Sequence, residues 1–125
     1  MSALVDTSIL IDCLRGFEPA IVLLRRERAA GLLHASAMTR LEVLSGMRPR
    51  EEEQTRWLLS TLRWHPVDAG VTEVAGRLGR AWLPSHHAID GADLAIAATA
   101  ILIGARVLTG NVRHFPMFAD LRPPY

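Results

Sequence analysis

The chain has 125 residues and a mass of 13.8 kDa, about one domain's worth, so one domain over residues 1–125 is expected. Apolar residues make up 50%, charged residues 22%, and the formal net charge is +1, which argues against disorder and against a broad electrostatic grip on nucleic acid. A lone cysteine, Cys13, excludes an internal disulfide framework, and the absence of lysine excludes a Walker-type phosphate loop, a Schiff base and a receiver-domain switch.

Helical and extended patterns alternate along the chain. Ala3-Leu4-Val5-Asp6 is a short apolar run that reads as a buried strand. Thr7 or Ser8 can cap a helix running to about Arg15, where Gly16 stops it. A second helix follows from Pro19 to Ala30, with arginines at 25, 26 and 28, and Gly31 ends it. Leu32 to Ala35 reads as a second strand. Thr39 opens a helix broken by Gly46 and Pro49, and Arg50 to Leu62 is another, with Glu51-Glu52-Glu53 complementing its dipole. Trp64 to Val67 is a weak strand split by Pro66. Val71 to Leu83 is helical, Pro84 to Ile89 is a loop, and Ala92 to Ile103 is the clearest helix, stopped by Gly104. Arg106 to Thr109 is a strand, and the tail from Phe115 leaves room for one edge strand before Pro123. The pattern predicts an α/β fold: a mostly parallel sheet of four to five strands with helices on both faces.

The longest apolar run, Leu94–Leu108, is fifteen residues with Arg106 inside, too short to span a bilayer. The segment Met1–Leu14 carries Asp6 and Asp12 and no basic start, so a cytoplasmic protein is expected.

In a parallel sheet, ligands bind at the carboxyl ends of the strands. Asp6 ends the first strand, Glu42 lies in the first turn of the third helix, and Asp93 lies in the first turn of the clearest helix, three residues after Asp90. Two readings account for these acids. Thr39-Arg40-Leu41-Glu42 and Asp90-Gly91-Ala92-Asp93 both fit a capping box, and Asp6 fits a cap beside Thr7. Alternatively, carboxylates converging from rigid elements suit a hard divalent cation, and a buried acid without a lysine partner favours that arrangement. The five histidines show no zinc spacing and read as solvated or packed, and Ser8 has no nucleophile-elbow context. Trp57, Trp64 and Trp82 read as core or interface packing.

Four segments resemble a known family. Leu4-Val5-Asp6-Thr7-Ser8-Ile9-Leu10-Ile11 resembles the opening strand of PIN-domain nucleases, and Thr39-Arg40-Leu41-Glu42-Val43-Leu44 their second motif. Ala92-Asp93-Leu94-Ala95-Ile96-Ala97-Ala98-Thr99-Ala100 is similar to the third, and Val107-Leu108-Thr109-Gly110-Asn111-Val112-Arg113-His114-Phe115 to the closing one. All four occur in order over almost the whole chain, and the size and closing motif are most similar to VapC-type toxins of bacterial toxin–antitoxin pairs.

The resemblance implies a PIN-like three-layer fold and a Mg²⁺- or Mn²⁺-dependent endoribonuclease site in which Asp6, Glu42 and Asp93 form the acidic core. The family's fourth acid is replaced by Asn111, with Asp90 as a further candidate ligand, and Thr7 and Thr109 as supporting donors. It implies products with a 5′-phosphate and a 3′-hydroxyl, a homodimer, and a VapB-type antitoxin whose tail fills the acidic groove; Arg25, Arg26, Arg28 and Arg113 are, by their own chemistry, the candidates for salt-sensitive contact with the RNA backbone. The alternative is a non-catalytic PIN-like or flavodoxin-like binding or regulatory module.

Overall fold

A computed structural model describes residues 2–125. Strands β1 (Ala3–Val5), β2 (Leu33–Ser36), β3 (Arg63–His65) and β4 (Arg106–Leu108) form one all-parallel sheet in the order β3-β2-β1-β4. β1 pairs with β2 through Ala3↔Leu33 and with β4 through Val5↔Leu108. The sheet has four strands among the described residues. The expected fifth does not form: beyond Phe115 the tail is irregular, with no strand pairing.

Parallel strands need crossovers, and here helices provide all of them. Helices α1 (Thr7–Leu14) and α2 (Glu18–Ala30) join β1 to β2. Helices α3 (Ala37–Ser45) and α4 (Glu52–Ser60), with a 3₁₀ turn at Pro49–Glu51 between them, join β2 to β3. Helices α5 (Ala69–Trp82) and α6 (Gly91–Ile103) carry the chain back across the sheet to β4.

The period-two alternation of β1 separates the two layers of core. Ala3 and Val5 point to one face, where they meet Ile9, Leu10, Leu23, Leu24 and Leu59 of α1, α2 and α4. Leu4 points to the other, against Ile96, Ala97, Ala100 and Val107, and Phe115 closes that layer. Helix α6 is buried almost all round from Asp93 to Ala100, because α5 covers the side turned away from the sheet through Val71 against Ala95 and Ala98. That burial explains the uninterrupted apolar run that made α6 so clear in the sequence. Gly79 of α5 admits the close crossing: a Cβ there would stand 3.3 Å from Leu94. Gly104 ends α6 in the left-handed conformation (φ +67°), which costs glycine little.

The connections on the two faces run in opposite directions from β1, toward β2 and β3 on one side and β4 on the other. The sheet's switch point therefore lies between the carboxyl ends of β1 and β4, where a ligand crevice belongs. No helix among the described residues is long and apolar enough to cross a membrane.

Candidate active site

Asp6 leaves β1 at the switch point. Its backbone N–H donates to the Leu108 carbonyl at 2.9 Å, which extends the β1–β4 ladder by one rung and fixes where the side chain emerges. Asp6 occupies the residue before α1, in extended conformation, yet its side chain makes no capping hydrogen bond. Oδ2 instead accepts from Ser8 Oγ at 2.9 Å and from Thr109 Oγ1 at 2.7 Å. Asp6 is 4% exposed, and these two hydroxyls offset part of its desolvation cost. Capping therefore does not account for Asp6.

It does not account for Glu42 either. The expected box at Thr39 does not form, because α3 starts earlier: Ser36, the last residue of β2, is the cap and accepts from Met38 N–H at 3.1 Å. Thr39 is consequently inside the helix and fully buried, 3.1 Å from Thr7 Oγ1. Glu42 sits a turn later on an exposed face, where Thr7 Oγ1 donates to its Oε1 at 2.6 Å. Neighbouring residues Asp6 and Thr7 thus face two different acids' work, one as carboxylate and one as a hydroxyl anchoring Glu42. Glu42 also lines a cavity of about 230 Å³ with Arg15, Met47, Arg48 and Glu51.

For Asp93 the capping box is present. Asp90 Oδ1 accepts the Asp93 N–H at 2.9 Å, and Asp93 Oδ2 accepts the Asp90 N–H at 3.0 Å. The same Oδ2 lies 3.0 Å from His114 Nδ1. Burial pushes the Asp93 carboxyl up to about 6, assisted by the Asp90 charge and opposed by the Asp90 backbone hydrogen bond and His114. Capping and chemistry coexist here, since the cap occupies one oxygen only.

The three acids share a pattern. Each is tied through one oxygen, Oδ2 of Asp6, Oε1 of Glu42 and Oδ2 of Asp93, and among the described residues no hydrogen bond reaches the other. Among the described residues neither Asp6 nor Glu42 forms an ion pair, and Asp93 alone of the three has a basic side chain against it, His114. No three His, Cys, Asp or Glu side chains among the described residues meet as a ready-made metal cage.

The other expected residues divide between this crevice and elsewhere. Thr109 is buried and also accepts the Asn111 N–H at 2.9 Å; Asn111 and Arg113 are exposed on the turn that follows. Arg25 and Arg28 line a different cavity, with Cys13, Leu33 and Trp57, and the Arg28 guanidinium lies 6.0 Å above the Trp57 ring. Arg26 faces a third, beside Val22 and Tyr125. Trp57 is 63% exposed, so it does not pack in the core of this chain, whereas Trp64 and Trp82 are half-buried.

Two residues in the crevice escaped sequence reasoning. Ser8, which lacks a nucleophile context, donates to Asp6 and accepts the Gly110 N–H at 3.0 Å. His114, expected as solvated or packed, lies with Nδ1 3.0 Å from Asp93 Oδ2. Their places inside the first and last of the four motifs were the available signal.

The PIN domain model matches residues 3–120. The chain belongs to the PIN-domain family. Among PIN-domain relatives it is 45% identical to Ribonuclease VapC19 of Mycobacterium tuberculosis over 98% of each chain. It is 38% identical to Ribonuclease VapC10 of the same organism, over 98% of this chain and 92% of the relative. The PIN fold overlays a toxin-antitoxin complex from Klebsiella pneumoniae with a TM-score of 0.81 and 27% identity, covering 98% of both chains. It also overlays DNA-bound VapBC from Salmonella typhimurium with a TM-score of 0.78 at 22% identity, over 98% and 96% of the chains, a likeness of fold.

Proposed function

We propose that this chain is a divalent-metal-dependent endoribonuclease that hydrolyses RNA phosphodiester bonds and acts as the cytoplasmic toxin of a type II toxin–antitoxin pair. One observation carries the site assignment: three acids around the switch-point crevice, each fixed through one oxygen with the other left free. The 45% identity to a ribonuclease over nearly the whole chain supports the RNA substrate.

The donor set fits a hard cation. The free atoms are all carboxylate oxygens, and Cys13 and the His34–His65 pair stand outside the crevice. Asp6 and Asp93 would hold Mg²⁺ or Mn²⁺, with Glu42 and Asp90 beside them. Such an ion, when bound, screens the phosphate's charge and lowers the pKa of a coordinated water.

The chain's own groups supply orientation and proton transfer. Ser8 and Thr109 hold Asp6; Thr7 holds Glu42 with Oε2 open to solvent. Glu42 Oε2 takes a proton from the attacking water, the P–O3′ bond breaks as the new P–O bond forms, the 3′-oxygen takes its proton from solvent, and Glu42 returns its own to solvent. The products are a 5′-phosphate and a 3′-hydroxyl. Arg15 and Arg48, which share a cavity with Glu42, are better placed for the RNA backbone than Arg25 or Arg28.

Two partners belong to the same reading: a VapB-type antitoxin and a second copy of this chain. Expression with its neighbouring gene, followed by purification through a tag on this chain, tests the first. A small co-purifying protein that suppresses RNA cleavage is expected; a chain that purifies alone and cleaves without restraint contradicts the toxin assignment.

A further inference from the structure

His114 is delivered to Asp93 by a turn anchored at both ends. Thr109 Oγ1 accepts the Asn111 N–H on one side, and Phe115, 1% exposed, is locked into the core against Leu4 and Ile96 on the other. Between them the chain makes the 3₁₀ turn Val112–His114, with the His114 N–H bonded to the Asn111 carbonyl at 2.9 Å. The imidazole therefore has little freedom, and its Nδ1 lies 3.0 Å from Asp93 Oδ2.

That oxygen already accepts the Asp90 N–H. With a proton on Nδ1, two donors would meet on one carboxylate oxygen and fix the plane of the group, as the outer partners of metal-binding carboxylates do. We infer that His114 is a positioning residue: its Nδ1–H holds Asp93 Oδ2, so that Oδ1 is the atom offered to a divalent cation. This rests on Asp93 being a cation ligand, as proposed above.

The test is a calorimetric titration of Mn²⁺ into the parent chain and three variants, with melting temperatures checked in parallel. Asparagine carries an N–H donor where Nδ1 stands, whereas glutamine places its donor nearer Nε2. His114→Ala and His114→Gln should weaken Mn²⁺ binding about tenfold or more, the scale of losing such an outer partner, while His114→Asn retains most of it. A nitrogen-15 spectrum of the metal-free parent should show Nδ1 protonated. Equal Mn²⁺ affinity in parent and His114→Ala overturns the inference, as does an unprotonated Nδ1 or an asparagine variant as weak as alanine. The parent reading then survives if metal-dependent RNA cleavage persists. A parent that binds no Mn²⁺ overturns both.

Discussion

Thr109 Oγ1 donates a 2.7 Å hydrogen bond to Asp6 Oδ2, joining residues 103 positions apart across the carboxyl ends of β4 and β1. This bond is the point at which topology becomes chemistry. The strand order places β4 beside β1, and the last buried residue of one strand end then orients the acid at the other. Thr109→Val keeps the shape and removes the donor. The expected result is a loss of about 1.5–3 kcal/mol in urea unfolding, the range for hydrogen bonds to charged groups, together with slower RNA cleavage. Unchanged stability would show that Ser8 alone satisfies Asp6.

Asp6→Asn, Glu42→Gln and Asp93→Asn keep side-chain oxygens for any backbone donor and remove one charge each. If the acids serve catalysis, cleavage with Mg²⁺ falls by roughly 10²-fold or more in each. Metal-free melting temperatures stay level or rise for Asp93→Asn, whose charge is disfavoured by burial. Asp12→Asn and Asp68→Asn are controls. Asp12 accepts from Tyr125 and Asp68 caps α5, both roles that asparagine keeps. Parent-like cleavage by the three variants would reduce the acids to structural roles.

Asp93 also sets a pH dependence. Its folded-state pKa, about 6, lies above the ordinary 3.8, so between these values the folded chain holds a proton that the unfolded chain has released. Its contribution to metal-free stability is fully present below about pH 4, declines as pH rises toward 6, and is flat beyond. Denaturation in chelator at pH 4, 5, 6 and 7 should show parent stability falling relative to Asp93→Asn across that interval. A difference that is constant or rises with pH contradicts the burial of this charge.

Gly104→Ala tests the fold independently of the site. The left-handed cap at φ +67° predicts a loss of about 1 kcal/mol, since alanine pays for that conformation and glycine does not. The variant should cleave RNA at the parent's rate when folded.

Much of this architecture is legible locally. β1, α6 and β4 are apolar runs bounded by Asp6, Asp90 and Gly104, and each forms within a residue or so of where periodicity and stop signals put it. Asp6 and Asp93 stand out because each falls at the end of an element, whereas Glu42 stands out through a capping pattern that does not form. What local pattern misstates is competition between signals. Ser36 and Thr39 are both capping residues, and Ser36 wins because β2 runs straight into α3, drawing Thr39 inward to Thr7. The tail offers Phe115 to the core, and its prolines lack the N–H donors a strand needs, so no fifth strand forms. For Ser8 and His114 the sequence offers only their places in the first and last motifs. Neither has meaning without the turn beyond β4, which tertiary packing carries to the N-terminal acid and to α6.

The central claim is that these carboxylates cut RNA through a bound divalent cation. The most direct measurement is the cleavage rate of a fluorophore-labelled RNA by the purified chain, free of antitoxin, in Mg²⁺, in excess chelator, and after Mg²⁺ or Mn²⁺ is restored. The account predicts cleavage in Mg²⁺, its loss in chelator, its recovery on restoring either ion, and no recovery in Asp6→Asn. Cleavage that persists in chelator, or an Asp6→Asn chain that cuts at the parent's rate, would contradict it.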